Sequence, residues 1–209
     1  MEGKFITFEG GEGSGKTSVL KVVIARLEEE GYKVVPTREP GGNKIAEEIR
    51  NVILDKSNTN MDPRTEALLY AASRRQHLVE DIIPLLKKGT NVICDRYIDS
   101  SLAYQGYARR IGVKEVFDIN MFAIDHKLPD LTLLFNLSPE EGLARINKNK
   151  DREVNRLDLE KLEFHHDVQK EYLALANEYK DRIIVIDASK SLEEVCEEAY
   201  KVIKGFLDR

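Results

Sequence analysis

The segment Phe8–Ser18, "FEGGEGSGKTS", constrains this chain more than any other stretch. It leaves an apolar run, "KFITFEG", and enters a helical pattern that begins at Lys16. From Gly10 to Thr17 it reads Gly-x-x-x-x-Gly-Lys-Thr. A strand before and a helix after is the setting in which such a loop curls its backbone N–H groups around phosphate oxygens. The glycines permit the curl, and the N-terminus of the following helix adds partial positive charge. Gly10, Gly11, Glu12, Gly13, Ser14, Gly15, Lys16, Thr17 and Ser18 are therefore candidate ligands of a nucleotide polyphosphate such as ATP. Lys16 is expected to reach the outer phosphates, and the Thr17 hydroxyl to bind Mg²⁺. A slack glycine-rich turn holding a chance lysine is the alternative, and the full pattern in this context speaks against it.

A loop fixed between strand and helix calls for an α/β fold, and the rest of the chain has that rhythm. Five short β-branched or apolar runs recur: "KFITFEG", "KVVPTRE", "NVICDRY", "DLTLLFNL" and "RIIVIDAS". None alternates cleanly, as expected of strands covered on both faces. Helical patterns separate them over Lys16–Glu30, Lys44–Asp55, Arg64–Lys88, Ser100–Tyr107, Lys114–His126, Pro139–Ile146, Leu159–Tyr179 and Ser191–Leu207. Alternation of this kind predicts a parallel sheet with right-handed crossovers. Pro84 lies inside the third pattern and predicts a kink or break there. The most polar stretch is "NKNKDREVNR" (Asn147–Arg156), by composition a solvated connection.

The chain of 209 residues suffices for one domain with a full core. A net charge of -5, from 37 acidic and 32 basic side chains, argues against a general nucleic-acid binder. No apolar run approaches the ~20 residues that span a bilayer. Cys94 and Cys196 are too far apart in sequence for a disulfide framework or a metal-ligand pair, and Cys94 reads as a buried thiol. These features predict a cytoplasmic protein with no membrane partner. His77 and His126 lack partners at ligand spacing, and His165-His166 reads as solvated helix surface.

In parallel α/β sheets, ligands sit outside the carboxyl ends of the strands. Asp95 ends "NVICD" there, where an acid suits a Mg²⁺ ligand or the holder of a metal-bound water. Arg96 follows and can meet phosphate with a forked donor set. Arg38 ends the second run, so Arg38 and Arg96 form a candidate second phosphate site. Glu39 reads as structural, holding a basic neighbour. Tyr70 and Arg74 are four apart on one helical face, where ring and guanidinium could stack on a base and bond its edge. Periodicity alone favours a core tyrosine and a surface arginine.

Five segments in order, "FEGGEGSGKT", "TREPGG", "LLYAASRRQHL", "DRYIDSSLAYQG" and "IDASKSLEEV", resemble the bacterial thymidylate kinases over essentially the whole chain. The resemblance implies a P-loop NTPase fold in one domain, 1–209. Its five-stranded parallel sheet would be flanked by helices on both faces, with a short lid at about 147–156. It implies transfer of the γ-phosphoryl of ATP to thymidine 5'-monophosphate (dTMP), with Mg²⁺, in a homodimer whose third and fifth helical patterns supply apolar faces. Tyr70 stands where the family usually has a phenylalanine that stacks on thymine. Arg74 resembles the donor to thymine O4, and Ser101 and Gln105 match positions near the base. Tyr104 resembles the aromatic that crowds the 2' side of the sugar, and Glu12 the acid that receives the 3'-hydroxyl. Arg38 and Arg96 match residues that meet the monophosphate, with Arg50 assisting.

The loop interior, Gly11 to Ser14, lacks the basic residue that one subclass places there. The other subclass supplies it from the lid, where Arg152 and Arg156 are the candidates. Arg145 resembles a residue that packs on adenine, and the "DASKS" turn, with Ala188 and Ser189, the adenine loop. The rivals are a kinase for another nucleotide and a nucleotide-dependent switch. Tyr70, Arg74 and Gln105 argue for a pyrimidine with an acceptor at position 4. "NKNKD" does not satisfy the Asn-Lys-x-Asp spacing of guanine-binding switches.

Overall fold

The structure is a computed structural model and describes residues 2–148, 157 and 160–209. Five strands, β1 (Phe5–Glu9), β2 (Val34–Arg38), β3 (Asn91–Asp95), β4 (Leu131–Asn136) and β5 (Ile183–Asp187), form one sheet in the order β2-β3-β1-β4-β5. Every neighbouring pair is parallel. β1 lies at the centre, so the loop that leaves it opens between β3 and β4 at the sheet's carboxyl edge.

The central strands are apolar along their length because both faces are covered. On β1, Phe5 faces one core and Ile6 and Phe8 the other. On β3, Val92 and Cys94 face the first core and Ile93 the second. The second core is closed by α1 (Lys16–Glu29) and α9 (Leu192–Leu207), through Val19, Val23, Leu27, Val195, Ala199 and Ile203. The first is closed by α3 (Pro63–His77), α6 (Val113–Ile124) and α8 (Leu162–Glu178), through Ala67, Val116, Val168, Tyr172 and Leu175. β2 is an edge strand, which is where Pro36 is tolerated.

Helix starts follow local chemistry. Asn43 caps α2 (Lys44–Leu54) by accepting from the Ala46 N–H at 3.0 Å. Asp62 accepts from the N–H groups of Arg64 and Thr65, with Pro63 in the first turn of α3. Ser191 and Glu194 form a reciprocal capping box on α9.

The third helical pattern is interrupted just before Pro84 but does not end there. It runs from α3 through a π-helical turn, Leu78–Ile82, into α4 (Ile83–Lys87). Pro84 falls in the first turn of α4, where its missing N–H matters least. The pattern expected at Ser100–Tyr107 begins earlier, as α5 (Ile98–Ser101), and continues as a second π-helical turn, Leu102–Ala108. α7 (Pro139–Lys148) completes the set. His165 departs from the expected solvated surface: it is 5% exposed, beside Phe164, and only His166 faces outward. His165 shares a small recess with Gly11 and Glu12 of the glycine-rich loop and with Pro139 and Leu143 of α7, which cover it. The lid segment from residue 149 to 156, with Arg152 and Arg156, lies outside the described residues.

Candidate active site

A cavity of about 520 Å³ opens at the carboxyl edge of the sheet. One end is the glycine-rich loop. Gly15, with φ 83°, takes the left-handed conformation at the N-cap of α1, which a side chain would resist. This turn presents the residues from Glu12 to Ser18 to the cavity. The Lys16 ammonium lies across the loop, donating to the carbonyls of Gly10 at 3.1 Å and Gly11 at 3.0 Å and to Ser14 Oγ at 3.2 Å. Burial, with Arg96 nearby, lowers its pKa to about 8. A lysine so placed gains from the arrival of an anion.

The Thr17 hydroxyl donates to Asp95 Oδ2 at 2.9 Å. The other carboxylate oxygen, Asp95 Oδ1, is buried and has no hydrogen-bond partner among the described residues. Thr17 and Asp95 thus present hard oxygen donors side by side on the cavity wall, with acceptor capacity to spare. That donor set suits a hard divalent cation.

The middle of the cavity is cationic. Arg96, with φ 72°, is a non-glycine residue held in the left-handed region, a strain typical of functional positions. Its guanidinium donates to the Gly10 carbonyl at 3.0 Å and to Glu12 Oε1 at 2.6 Å. Tyr104 donates to the same Glu12 oxygen at 3.1 Å, and burial pushes the Tyr104 hydroxyl up, so it stays a donor. Arg38 and Arg50 both donate to the Pro40 carbonyl, at 2.7 and 3.0 Å, and both line the cavity. Arg38 also pairs with Glu47 at 2.9 Å.

The far end is lined by Tyr70, Arg74 and Ser101. Arg74 is neither on the surface nor loosely held. It is 2% exposed, and its Nε donates to Glu39 Oε2 at 2.7 Å. Its Nη1 donates to Ser101 Oγ at 3.0 Å and to Asn120 Oδ1, and its Nη2 to the Tyr97 carbonyl at 2.9 Å. Among the described residues, one Nη2 hydrogen of the guanidinium's five N–H bonds has no acceptor. Glu39 does hold a basic neighbour, and a second group as well. His77 Nδ1 lies 3.1 Å from Glu39 Oε1, and His77 Nε2 lies 2.7 Å from Thr37 Oγ1. An ionised Glu39 requires the hydrogen on Nδ1.

Gln105 does not reach the cavity wall. It is buried, and its amide donates to Glu66 Oε1 at 2.8 Å. Arg145 does line the cavity and reaches the Ala188 carbonyl at 3.1 Å, joining α7 to the turn after β5. Ser189 folds onto Asp187 in that turn and is not part of the cavity wall.

Several contributors carry no local motif. Glu9, at the end of β1, is 1% exposed and accepts from the Tyr97 N–H at 2.7 Å, Ser100 Oγ at 2.6 Å and Tyr172 Oη at 2.8 Å. Burial and the nearby Asp99 push its carboxyl up, while its bonds to Ser100 and Tyr172 pull the other way. This network anchors α5 behind Arg96. An acid ending an otherwise apolar strand was a visible sign for Glu9; nothing local marks Asn120 or Tyr172. Glu39, His77 and Cys94 lie close enough together to hold a metal ion. Their atoms are already engaged, with Cys94 donating to the Arg96 carbonyl at 3.1 Å.

Comparison with known proteins gives this geometry a family. Residues 8–199 match the family model described as thymidylate kinase. The chain is 57% identical over 195 residues to the thymidylate kinase of Geobacillus sp. (strain WCH70), covering 93% of each. It is 57% identical over 206 residues to that of Clostridium novyi (strain NT), covering 99% of this chain and 98% of the relative. A crystal structure of thymidylate kinase from Ehrlichia chaffeensis superposes with a TM-score of 0.77 at 32% identity, covering 98% of this chain and 99% of that one. A full-length match at this identity, on a cavity with a glycine-rich loop at one end and an arginine-lined recess at the other, places the chain in the thymidylate kinase family.

Proposed function

We propose that the residues lining the cavity divide the family's reaction between them, ATP at the loop end and dTMP at the Tyr70–Arg74 end. The reaction itself is ATP-dependent phosphorylation of dTMP to dTDP. The single observation that carries the assignment of ends is the continuity of one cavity from Lys16 and Thr17, past Arg38 and Arg96, to Tyr70 and Arg74.

At the donor end, Lys16 and the loop N–H groups from Gly13 to Thr17 take the β- and γ-phosphates. Thr17 and Asp95 would hold Mg²⁺, directly or through water, and its charge would offset that of the phosphates. Arg145, with Ala188 and Ser189 behind it, supports the adenine end. At the acceptor end, Arg38, Arg96 and Arg50 hold the dTMP phosphate. Glu12 and Tyr104, already bonded to each other, face the sugar, with Glu12 accepting from the 3'-hydroxyl. Tyr70 stacks on the base, and the remaining Nη2 hydrogen of Arg74 meets thymine O4. Gln105 acts behind this wall, fixing it through Glu66.

An ionised phosphate oxygen of dTMP attacks the γ-phosphorus. The new P–O bond forms as the bond to the β,γ-bridging oxygen breaks, and its electron pair leaves with ADP. With the nucleophile already anionic near neutral pH, no general base is required, and alignment and charge stabilisation carry the rate. Arg152 and Arg156, outside the described residues, are the lid arginines proposed to meet the transferring phosphoryl.

We read residues 1–209 as one kinase domain acting in the cytoplasm, where free thiols such as Cys94 and Cys196 stay reduced. No helix among the described residues is long and apolar enough to cross a membrane. A homodimer is supported by apolar side chains left outward on the expected patterns: Phe122 on α6, 89% exposed, and Leu68 on α3, 55% exposed.

The test is a phosphoryl-transfer assay across thymidine, deoxyuridine, deoxycytidine and purine monophosphates with ATP and Mg²⁺. dTMP should give the highest kcat/KM. Preference for a purine, or ATP hydrolysis with no acceptor product, would reject the assignment of ends.

A further inference from the structure

The loop and α7 meet backbone to backbone. A Cβ built on Gly142 would lie 2.2 Å from the Glu12 carbonyl oxygen, and a Cβ on Gly13 would lie 2.1 Å from the Gly142 carbonyl oxygen. Real Cβ atoms do not come this close to another atom, and neither obstacle is a side-chain tip that could swing away. Gly13 needs glycine twice over, because its φ is 70°. Gly142 carries no such demand. It sits within α7, its N–H bonded to the Ser138 carbonyl at 3.0 Å, where helix propensity disfavours glycine. Its presence there is explained by the close approach alone.

The contact joins groups that the reaction must align. Glu12 receives the Arg96 guanidinium and the Tyr104 hydroxyl on the acceptor side. Gly13 is part of the phosphate loop. One turn further along α7, Arg145 reaches the Ala188 carbonyl at the donor-base end. α7 is itself steadied at its start, where Gln169 of α8 donates to Asn136 Oδ1 and to the Leu137 carbonyl, both at 3.0 Å. A helix held at one end and bonded to the turn after β5 at the other acts as a straightedge against which the loop is set.

We propose that Gly142 is a positioning residue for phosphoryl transfer. By lacking a side chain it lets the α7 backbone seat on Glu12–Gly13, fixing the loop and the Glu12 carboxylate in register with the Arg145 end. The inference rests on the assignment of ends given above. A methyl at Gly142 forces the two backbones apart by about 1 Å or more, a displacement that can cost on the order of 10²-fold in rate.

The test compares Gly142→Ala with the unmodified chain by steady-state kinetics for ATP and dTMP, thermal melting and circular dichroism. Glu140→Ala, which alters an exposed partner of His166 on the same turn, is the control. Alanine is the better helix former, so the variant should melt within a few degrees of wild type. Its kcat should fall about 10- to 100-fold, with a smaller rise in both KM values, while Glu140→Ala stays within twofold. A folded Gly142→Ala enzyme with kcat within twofold of wild type overturns the proposal. So does a Gly142→Ala chain that fails to fold, because the contact would then be structural rather than positional. A failed assignment of ends shows separately, as a KM for dTMP that Arg38→Ala leaves unchanged.

Discussion

The two ends of the cavity are built on opposite plans. At the loop end, one uninterrupted stretch from Gly10 to Thr17 forms the wall, and among the described residues Lys16 bonds only within that stretch. At the other end, Arg74 is held by Glu39, Tyr97, Ser101 and Asn120, groups that come from three separate segments: the turn after β2, the start and end of α5, and α6. The loop end can lose a side chain without disturbing the core. The arginine end cannot, because its functional group is also a buried charge whose removal leaves partners stranded. Function and stability should therefore separate at the first end and stay linked at the second.

The sharpest way to break this comparison is Lys16→Ala. It should lower kcat by about 10³-fold or more, the scale of contacts to a transferring phosphoryl. Its melting temperature should not fall, because a lysine whose pKa is pulled down by burial is a cost to the fold, not a support. Parallel kinetics and melting curves decide it; near-normal turnover, or a collapse in melting temperature, would defeat the separation.

Arg74→Ala should show the linked behaviour. Leaving the buried Glu39 carboxylate with only His77 should cost about 3 kcal/mol or more, read as a fall in melting temperature on the order of 10 °C. In wild type, thymine should be preferred over cytosine by on the order of 10²-fold or more in kcat/KM, because cytosine offers a donor where Arg74 needs an acceptor. The variant should narrow that ratio and leave thymine against uracil nearly unchanged. A thymine–cytosine ratio that survives the substitution removes Arg74 as the base reader. A wild-type melting temperature removes the claim that function and fold are linked there.

Arg38 lies between the two and is about half exposed. Arg38→Ala should raise the KM for dTMP about tenfold or more, as expected for a hydrogen bond to a charged group, and shift stability by less than ~0.5 kcal/mol. An unchanged KM would take Arg38 out of the acceptor site.

The smallest expected effect is a proton. The Lys16 pKa, about 8 in the fold, lies below the usual 10.5. Between these two values the unfolded chain holds a proton that the folded chain has lost, so the stability contribution of Lys16 rises with pH across that window and is least below pH 8. ATP should restore the charge, taking up about half a proton on binding at pH 8. Calorimetry in two buffers of different ionisation enthalpy measures the uptake. Lys16→Arg, which stays charged, should show none of it, and equal uptake in both would assign the proton elsewhere.

The shape of the loop end was legible because its information is local. Gly-x-x-x-x-Gly-Lys-Thr sets a backbone path within a few residues, and an apolar run with a helical pattern on either side needs no distant partner. Asp95 and Arg96 were legible for a related reason: they end a strand, and strand ends in a parallel sheet point to the ligand side. The parallel order itself followed from alternation of strand and helix. What the sequence could not decide was how side chains from distant segments share a partner. Periodicity put Arg74 on the surface and His165 in solvent, and only the packing of α3 against α6 and α5, and of α8 beside α7 and the glycine-rich loop, buried them. Gln105 looked like a base contact and became a brace for Glu66. Gly142 carried no signal, since glycine within a helix gains its reason only when another backbone arrives beside it. Local dihedral preference is written residue by residue, whereas burial, shared hydrogen bonds and close approach exist only once the chain has closed on itself.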